Sequence, residues 1–315
     1  MAVTLIAVVT ALVVGHMAQG LAASVRHYDW YGQFLDWLNA QFPAPGPWRE
    51  RWGIAFALVP ALLAVGLFQV ALHTPLYGLA GLLFAVVVLF YAWGPRDLDL
   101  DVDAIGQAGD PVERRIAMAR LFPEGTSFDG VSGDEANFAP DGGQLVAAVF
   151  HNALRRWFGV LFWFLVLGPT GALLYRLAAI SCEGPYALRL PSENAAGARV
   201  LLRVLDWPVA QLMTLALALV GNFDTVLGAW RDHGGASAQL DHRYLYAAAR
   251  ASVRTELAED AADDLDQATE ASAEAPRAIG LPGLPALRDA MSLVWRILLV
   301  WLAVLALFVI AGFVS

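Results

Sequence analysis

The chain has 315 residues, 58% of them hydrophobic, and a mean hydropathy of +0.55. Soluble domains run at about 45–50% apolar, so the excess excludes an ordinary soluble globule. A formal net charge of −9 excludes a nucleic-acid partner, whose phosphates would be repelled. The single cysteine, Cys182, leaves no partner for an internal disulfide and no Cys-based zinc site. All 20 basic residues are arginines, and they form no polybasic arm of the kind that binds anionic lipid.

The apolar excess falls in runs. A helix of ~20 residues crosses a ~30 Å hydrocarbon core, and helix is the cheap way to pair every backbone group there. Residues 1–24 predict a first apolar helix, interrupted by His16 and Gln19. It lacks the basic start of a cleaved leader and reads as retained. Residues 25–53 are rich in Trp and Tyr, whose rings prefer the headgroup zone. They predict an interfacial helix and turn, with Phe34, Leu35, Leu38 and Phe42 on one face. Residues 54–73 and 76–94 predict a spanning hairpin whose turn holds His73, Thr74 and Pro75. Arg49, Arg51 and Arg96 flank the pair, which places both flanks in the cytoplasm.

Residues 95–156 carry 6 Arg against 11 Asp or Glu, a net −5. Pro111 opens a short helix there, Glu124–Gly143 reads as loop, and Leu145–Arg156 as a helix running into the membrane. Residues 157–180 predict a spanning helix with Gly168 and Pro169 in its middle. A polar loop follows at 181–202, then an apolar segment, 204–223, that spans, re-enters or lies at the interface. Residues 224–292 hold 6 Arg against 12 Asp or Glu, a net −6. Leu240–Leu257 is helical by pattern, and Glu256–Glu274 is an Ala- and acid-rich stretch of little expected order. A Pro/Gly linker at 276–285 leads to a last spanning helix, 293–314. The layout is all-α and polytopic, with four to six hydrophobic helices and two acidic helical regions of cytoplasmic type. It divides at 1–94, 95–156, 157–223, 224–292 and 293–315. One conflict stands in it. A spanning helix at 157–180 would carry Arg189, Arg199 and Arg203 across in a short loop, against the positive-inside rule.

Four places hold residues that carry chemistry. Asp97, Asp99, Asp101 and Asp103 alternate, and in extended backbone they share one face. Such a face suits a hard cation such as Mg²⁺; the plainer reading is a solvated acidic turn. His151, Asn152, Arg155 and Arg156 pair at helical spacing, as an anionic-ligand site or as anchors at the headgroups. Asn152 needs a partner at membrane depth in either case. Asp206, before Trp207 and Pro208, reads as an N-cap or as a group facing a polar cavity. Arg176, near a helix end, snorkels or meets an acid. His16, His73, His233 and His242 lack ligand spacing. There is no Walker A, GxSxG or HExxH motif and no GxGxxG after a strand, so no catalytic residue is assigned.

The run HNALRRWFGVLFWFLVLGPTGALLYRL (151–177), followed by VLLRVLDWPVAQLMTLALALVG (200–221), resembles AmpE, an inner-membrane protein linked to β-lactamase regulation. AmpE is itself similar to CobD/CbiB, the membrane enzyme that attaches aminopropanol phosphate to adenosylcobyric acid. That enzyme's Glu-Asn-Thr-x-Asp-Gly run corresponds to His151, Asn152, Ala153, Leu154, Arg155 and Arg156. Leu161, Phe162, Trp163, Gly168, Pro169, Gly171 and Tyr175 match its helix-shaping positions. Its Asn-Thr-Leu-Asp becomes Ala179, Ile180, Ser181 and Cys182. Its Asp-Asp-x-x-Asn-Trp-x-Pro becomes Leu202 to Pro208, with Asp206 at the Asn and one residue missing before Pro208.

The shape positions survive and most acidic ones do not. A site using ATP or Mg²⁺ needs those oxygens. The resemblance therefore implies a non-catalytic regulator of the inner membrane, multi-pass, tied to β-lactam response or cell-wall recycling. Its partners would be the bilayer and a cell-wall-derived ligand or membrane protein, with no cofactor beyond Mg²⁺ at the aspartate face. The alternative is a cobamide-synthase-like enzyme. A transporter would show facing charge pairs inside helices.

Overall fold

The structure, a computed structural model, describes residues 2–17, 26–43, 46–72, 78–94, 97–122, 127–128, 131–132, 138–237, 240–270 and 283–311. The side chains of 2–4, 15–17, 127–128, 131–132 and 260–270 are not among them. The expected hairpin turn at 73–75, the middle of the 124–143 loop and most of the 276–285 linker lie outside the described residues. The fold is all-α. Its only described strands, Ser127–Phe128 and Val131–Ser132, form a minimal antiparallel pair. Among the described residues, three helices are long and apolar enough to cross a membrane: Ile54–Ala71, Ser192–Val220 and Leu284–Ile310.

The chain divides into two compact units. The first comprises residues 1–97, 154–209 and 302–315. It begins with α1 (Ala2–Met17), which packs along α4 (Gly78–Ala92); residues 18–24 of the expected first helix lie outside the described residues. Between them come α2 (Asp29–Gln41), a 3-10 turn at Pro47–Arg49 and α3 (Ile54–Ala71). On α2, Tyr31, Leu35 and Leu38 are buried, at the i, i+4, i+7 spacing that makes one apolar face. Phe34 and Phe42 pack at the edge of the same core, which Trp48, Ile54, Leu58, Leu177 and Ala198 complete. Trp30, Trp37 and Trp52 are exposed. Trp48 is not: it is fully buried and its Nε1 donates to Asn39 Oδ1 at 2.8 Å.

The expected spanning helix at 157–180 is two helices, α8 (Gly159–Leu167) and α9 (Pro169–Ile180). Gly168, at φ 69°, sits between them in a backbone region that L side chains rarely adopt. Pro169 then starts α9 at the position proline favours. The two helices fold back on each other. A Cβ on Gly159 would fall 2.0 Å from the Tyr175 ring, and one on Gly171 would fall 2.0 Å from the Trp163 carbonyl oxygen. Nine residues reach roughly 14 Å, about half of a hydrocarbon core. Residues 157–180 are therefore not the single spanning helix expected, but two short helices packed on each other.

A bend between two helices leaves backbone groups that need partners. Gln69 of α3 supplies them. Its Nε2 donates to the Leu167 carbonyl at 3.1 Å, and its Oε1 accepts from Thr170 N at 3.0 Å and Thr170 Oγ1 at 2.8 Å. Helix α10 (Ser192–Val220) starts earlier than expected, and its residues up to Val209 belong to this unit.

The second unit comprises residues 98–153 and 210–301. Here α5 (Leu98–Gln107) packs on α6 (Pro111–Ala119). Asp110 caps α6, accepting from Val112 N at 3.0 Å, with Pro111 at the first position. Helix α7 (Gly142–Ala153) packs against α12 (Arg243–Glu270), which also holds α11 (Phe223–Asp232). The expected disorder of Glu256–Glu274 is corrected, because α12 continues to Glu270 and residues 271–274 lie outside the described set. Helix α13 (Leu284–Ile310) is tied by Trp295 Nε1 to Asp99 Oδ1 at 3.0 Å and by Arg296 to Glu256 at 3.0 Å.

Candidate functional site

The polar centre of the first unit is built on a wider turn. Residues Leu154–Phe158 form a π-turn between α7 and α8, a distortion common at functional sites. It delivers Arg155 inward. Arg155 Nη2 lies 2.9 Å from Asp206 Oδ2, and Nη1 lies 3.4 Å from Glu183 Oε1. The other Asp206 oxygen accepts from Tyr175 OH at 2.6 Å. Tyr175 OH also lies 3.3 Å from the Leu154 carbonyl, and Gly159 makes the room its ring needs. Asp206 is fully buried; the Glu183 and Arg155 side chains are 17% and 10% exposed, so the chain of charges opens to solvent at Glu183.

Asp206 is therefore no N-cap. It sits in the interior of α10 with Pro208 two residues on. Pro208 has no N–H and leaves a gap in the helix ladder. Trp163 Nε1 donates to the neighbouring Leu205 carbonyl at 3.0 Å. Trp207 points the other way, 36% exposed, and takes no part in the cluster.

Arg176 does not snorkel. It is 3% exposed, and its Nε donates to the Ala92 carbonyl at 2.7 Å. Arg26 donates to the Phe90 and Gly94 carbonyls at 3.0 and 2.9 Å and stacks over the Phe90 ring. Tyr28 OH donates to the Tyr91 carbonyl at 2.8 Å. Three side chains thus satisfy the carbonyls that the end of α4 leaves open, and two bring positive charge to the negative end of its dipole. Arg176 Nη2 has no hydrogen-bond partner among the described residues. Arg156 and Glu183 lie within electrostatic reach of Arg176. Cys182 sits at the rim, where burial pushes its thiol up to about 12 while Arg155 pulls the other way.

The remaining expected site residues are dispersed. His151 and Asn152 belong to the second unit and Arg155 to the first. His151 Nδ1 is 2.7 Å from Tyr246 OH. Asn152 Nδ2 donates to the Leu121 and Ala148 carbonyls at 2.7 and 2.8 Å, the partner that depth required. The aspartate face does not form. Asp99, Asp101 and Asp103 lie on helix α5, where alternate residues turn to different sides. Asp101 is 1% exposed while Asp103 faces solvent, and Asp97 precedes the helix. Among the described residues no three His, Cys, Asp or Glu side chains converge as a metal site would require. Sequence reasoning missed Glu183, Arg26 and the role of Tyr175. The one signal for them was that buried arginines need carboxylates or carbonyls nearby.

Two curated proteins match this chain, both named "Cobalamin biosynthesis protein CobD". The one from Chromobacterium violaceum is 34% identical over 144 residues, covering 44% of each chain. The one from Stutzerimonas stutzeri is 29% identical over 208 residues, covering 64% of this chain and 65% of that protein. The chain resembles CobD. It spans less than two thirds of the length of either relative. No family model and no solved structure matches. The expectation of an AmpE-type regulator is corrected by these names: both relatives are named for cobalamin biosynthesis, and neither for regulation.

Proposed function

We propose that this chain is a membrane enzyme of the cobamide-synthase type, multi-pass in the bacterial inner membrane. The observation that supports it best is the likeness to two proteins named for cobalamin biosynthesis. The charge cluster agrees with it. In the resemblance to CobD/CbiB, Arg155 and Asp206 stand where that enzyme has Asp and Asn, and here they pair with each other. The acidic position is thus replaced together with its neighbour, which reads as a rebuilt site rather than an abandoned one. In this reading the open end at Glu183 and Arg155 meets substrate, and Arg176 Nη2 offers a donor to an anionic group of it. Tyr175 holds Asp206, and Asp206 holds Arg155, so the guanidinium is oriented before substrate arrives.

Complementation tests this reading. The chain is expressed in a strain lacking its own cobamide synthase and grown where cobalamin must be made from adenosylcobyric acid. Wild type restores growth, and Glu183→Gln slows it without changing the amount of protein in the membrane. Absence of growth with wild-type protein present in the membrane overturns the reading.

A further inference from the structure

The second unit holds a cavity of about 310 Å³ between the last turns of α10 and the short helix α11. Leu212, Leu215 and Ala218 form one wall, and Phe223, Val226 and Leu227 the other. Trp230 closes one end. Its Nε1 donates to Gln211 Oε1 at 3.0 Å, and Gln211 Nε2 donates to the Gly235 carbonyl at 2.9 Å. Gly234, at φ 81°, turns the chain so that Gly235 lies on the Trp230 ring, where a Cβ would be 2.1 Å from it. The end wall is therefore fixed by a hydrogen-bonded chain and a glycine that tolerates no side chain.

The polar groups in this lining are all used elsewhere. Thr214 Oγ1 donates to the Ala210 carbonyl at 2.8 Å, within its own helix. Both ends of the Gln211 amide are taken by Trp230 and Gly235. An occupant meets hydrocarbon alone. A peptide segment would bring N–H and C=O groups with nothing to receive them. An alkyl chain has no such groups. The mouth, at Leu212, Leu215 and Phe223, is 40%, 57% and 51% exposed. It continues the exposed apolar side of α10, a helix able by length and composition to cross a bilayer. On the other side of α11, Asp224 and Asp232 share a polar groove with Arg250 and Arg254 of α12.

We propose that this cavity is a slot for one acyl chain of a membrane lipid. It is independent of the cobamide reading, since it rests on other residues and other chemistry.

The full chain is reconstituted in vesicles of phosphatidylethanolamine and phosphatidylglycerol, doped with a phosphatidylcholine bearing a diazirine on its acyl chain. After illumination, labelled peptides are mapped by mass spectrometry. Residues 211–230 should be labelled more than the exposed leucines of α3, Leu63 and Leu67, by roughly fivefold, the excess that about 1 kcal/mol of preference gives. Ala218→Phe, which fills the slot, should bring the label down to the α3 level. Leu215→Trp blocks the exposed mouth without touching the buried wall, and should do the same if Ala218→Phe disturbs folding. Equal labelling in wild type, or an excess that survives both variants, overturns the proposal. So would an unlabelled slot with crosslinks between two copies, which assigns the groove to a second chain.

Discussion

Arg155 and Asp206 lie 2.9 Å apart, the carboxylate fully buried and the guanidinium nearly so, on two segments separated by fifty residues of chain. Removing one charge of a buried pair strands the other, at a cost of about 3–5 kcal/mol. Arg155→Leu and Asp206→Leu should each lose that much in chemical unfolding of the detergent-solubilised protein. The double variant should lose less than either single one, because neither buried charge is then stranded, and the charge that loses a contact, Glu183, is partly exposed. A double variant that loses the sum of the two would show that the residues do not interact.

The bend between α8 and α9 depends on Gln69. With Gln69→Leu, the Leu167 carbonyl and the Thr170 donors lose their partner. A lost partner for a buried polar group costs about 1–3 kcal/mol. The variant should melt at lower temperature, and Gln69→Glu, which keeps an acceptor for Thr170, should fall between it and wild type. Equal melting of all three proteins would show that the bend is held in another way.

Gly171 packs against backbone, so its neighbour cannot move aside. Gly171→Ala should destabilise by about 3 kcal/mol, the upper range of overpacking. Gly78 is the control, because a Cβ there meets nothing within 4 Å. Gly78→Ala should be neutral or slightly stabilising, since alanine is the better helix former. Comparable unfolding curves for the two variants would contradict the close approach of α8 and α9.

Cys182 gives a reading by pH. A thiol with a pKa of about 12 holds far less thiolate at pH 8 than a free cysteine with a pKa near 8.5. Alkylation of the folded protein should be roughly 10³-fold slower than that of the urea-unfolded chain at pH 8, and the rate should climb about tenfold per pH unit above that. Removing Arg155, whose charge favours the thiolate, should slow it further. Fast labelling at pH 8 would place the thiol in water.

The long apolar helices were legible because their lengths are set by the bilayer and need no tertiary information. The cap at Asp110 was legible for a similar reason, since Pro111 and its preceding acid act locally. The break at Gly168 was not, because an unbroken apolar run hides a positive φ, and only the arginines after it hinted that the chain returns. Asp206 had two readings because Asp, Trp and Pro in a row also describe a helix start, and only the cap is excluded. Its true environment is set by Arg155 and Tyr175, which are distant in sequence. The aspartates of α5 illustrate the same limit. Their alternation suits a strand, but Leu98 and Ile105 are buried at a helical spacing, and that decided the backbone. Trp48 looked like a headgroup residue, but Asn39 and the α2 core claim it.

The finish of α4 has a consequence for the order of assembly. Its last carbonyls wait for Arg26, which is synthesised before them, and for Arg176, which follows 84 residues later. A ribosome-bound chain stopped short of Arg176 therefore carries a helix end with one of its carbonyls unclaimed. Arg176 thus acts as a latch that α9 brings to that helix end.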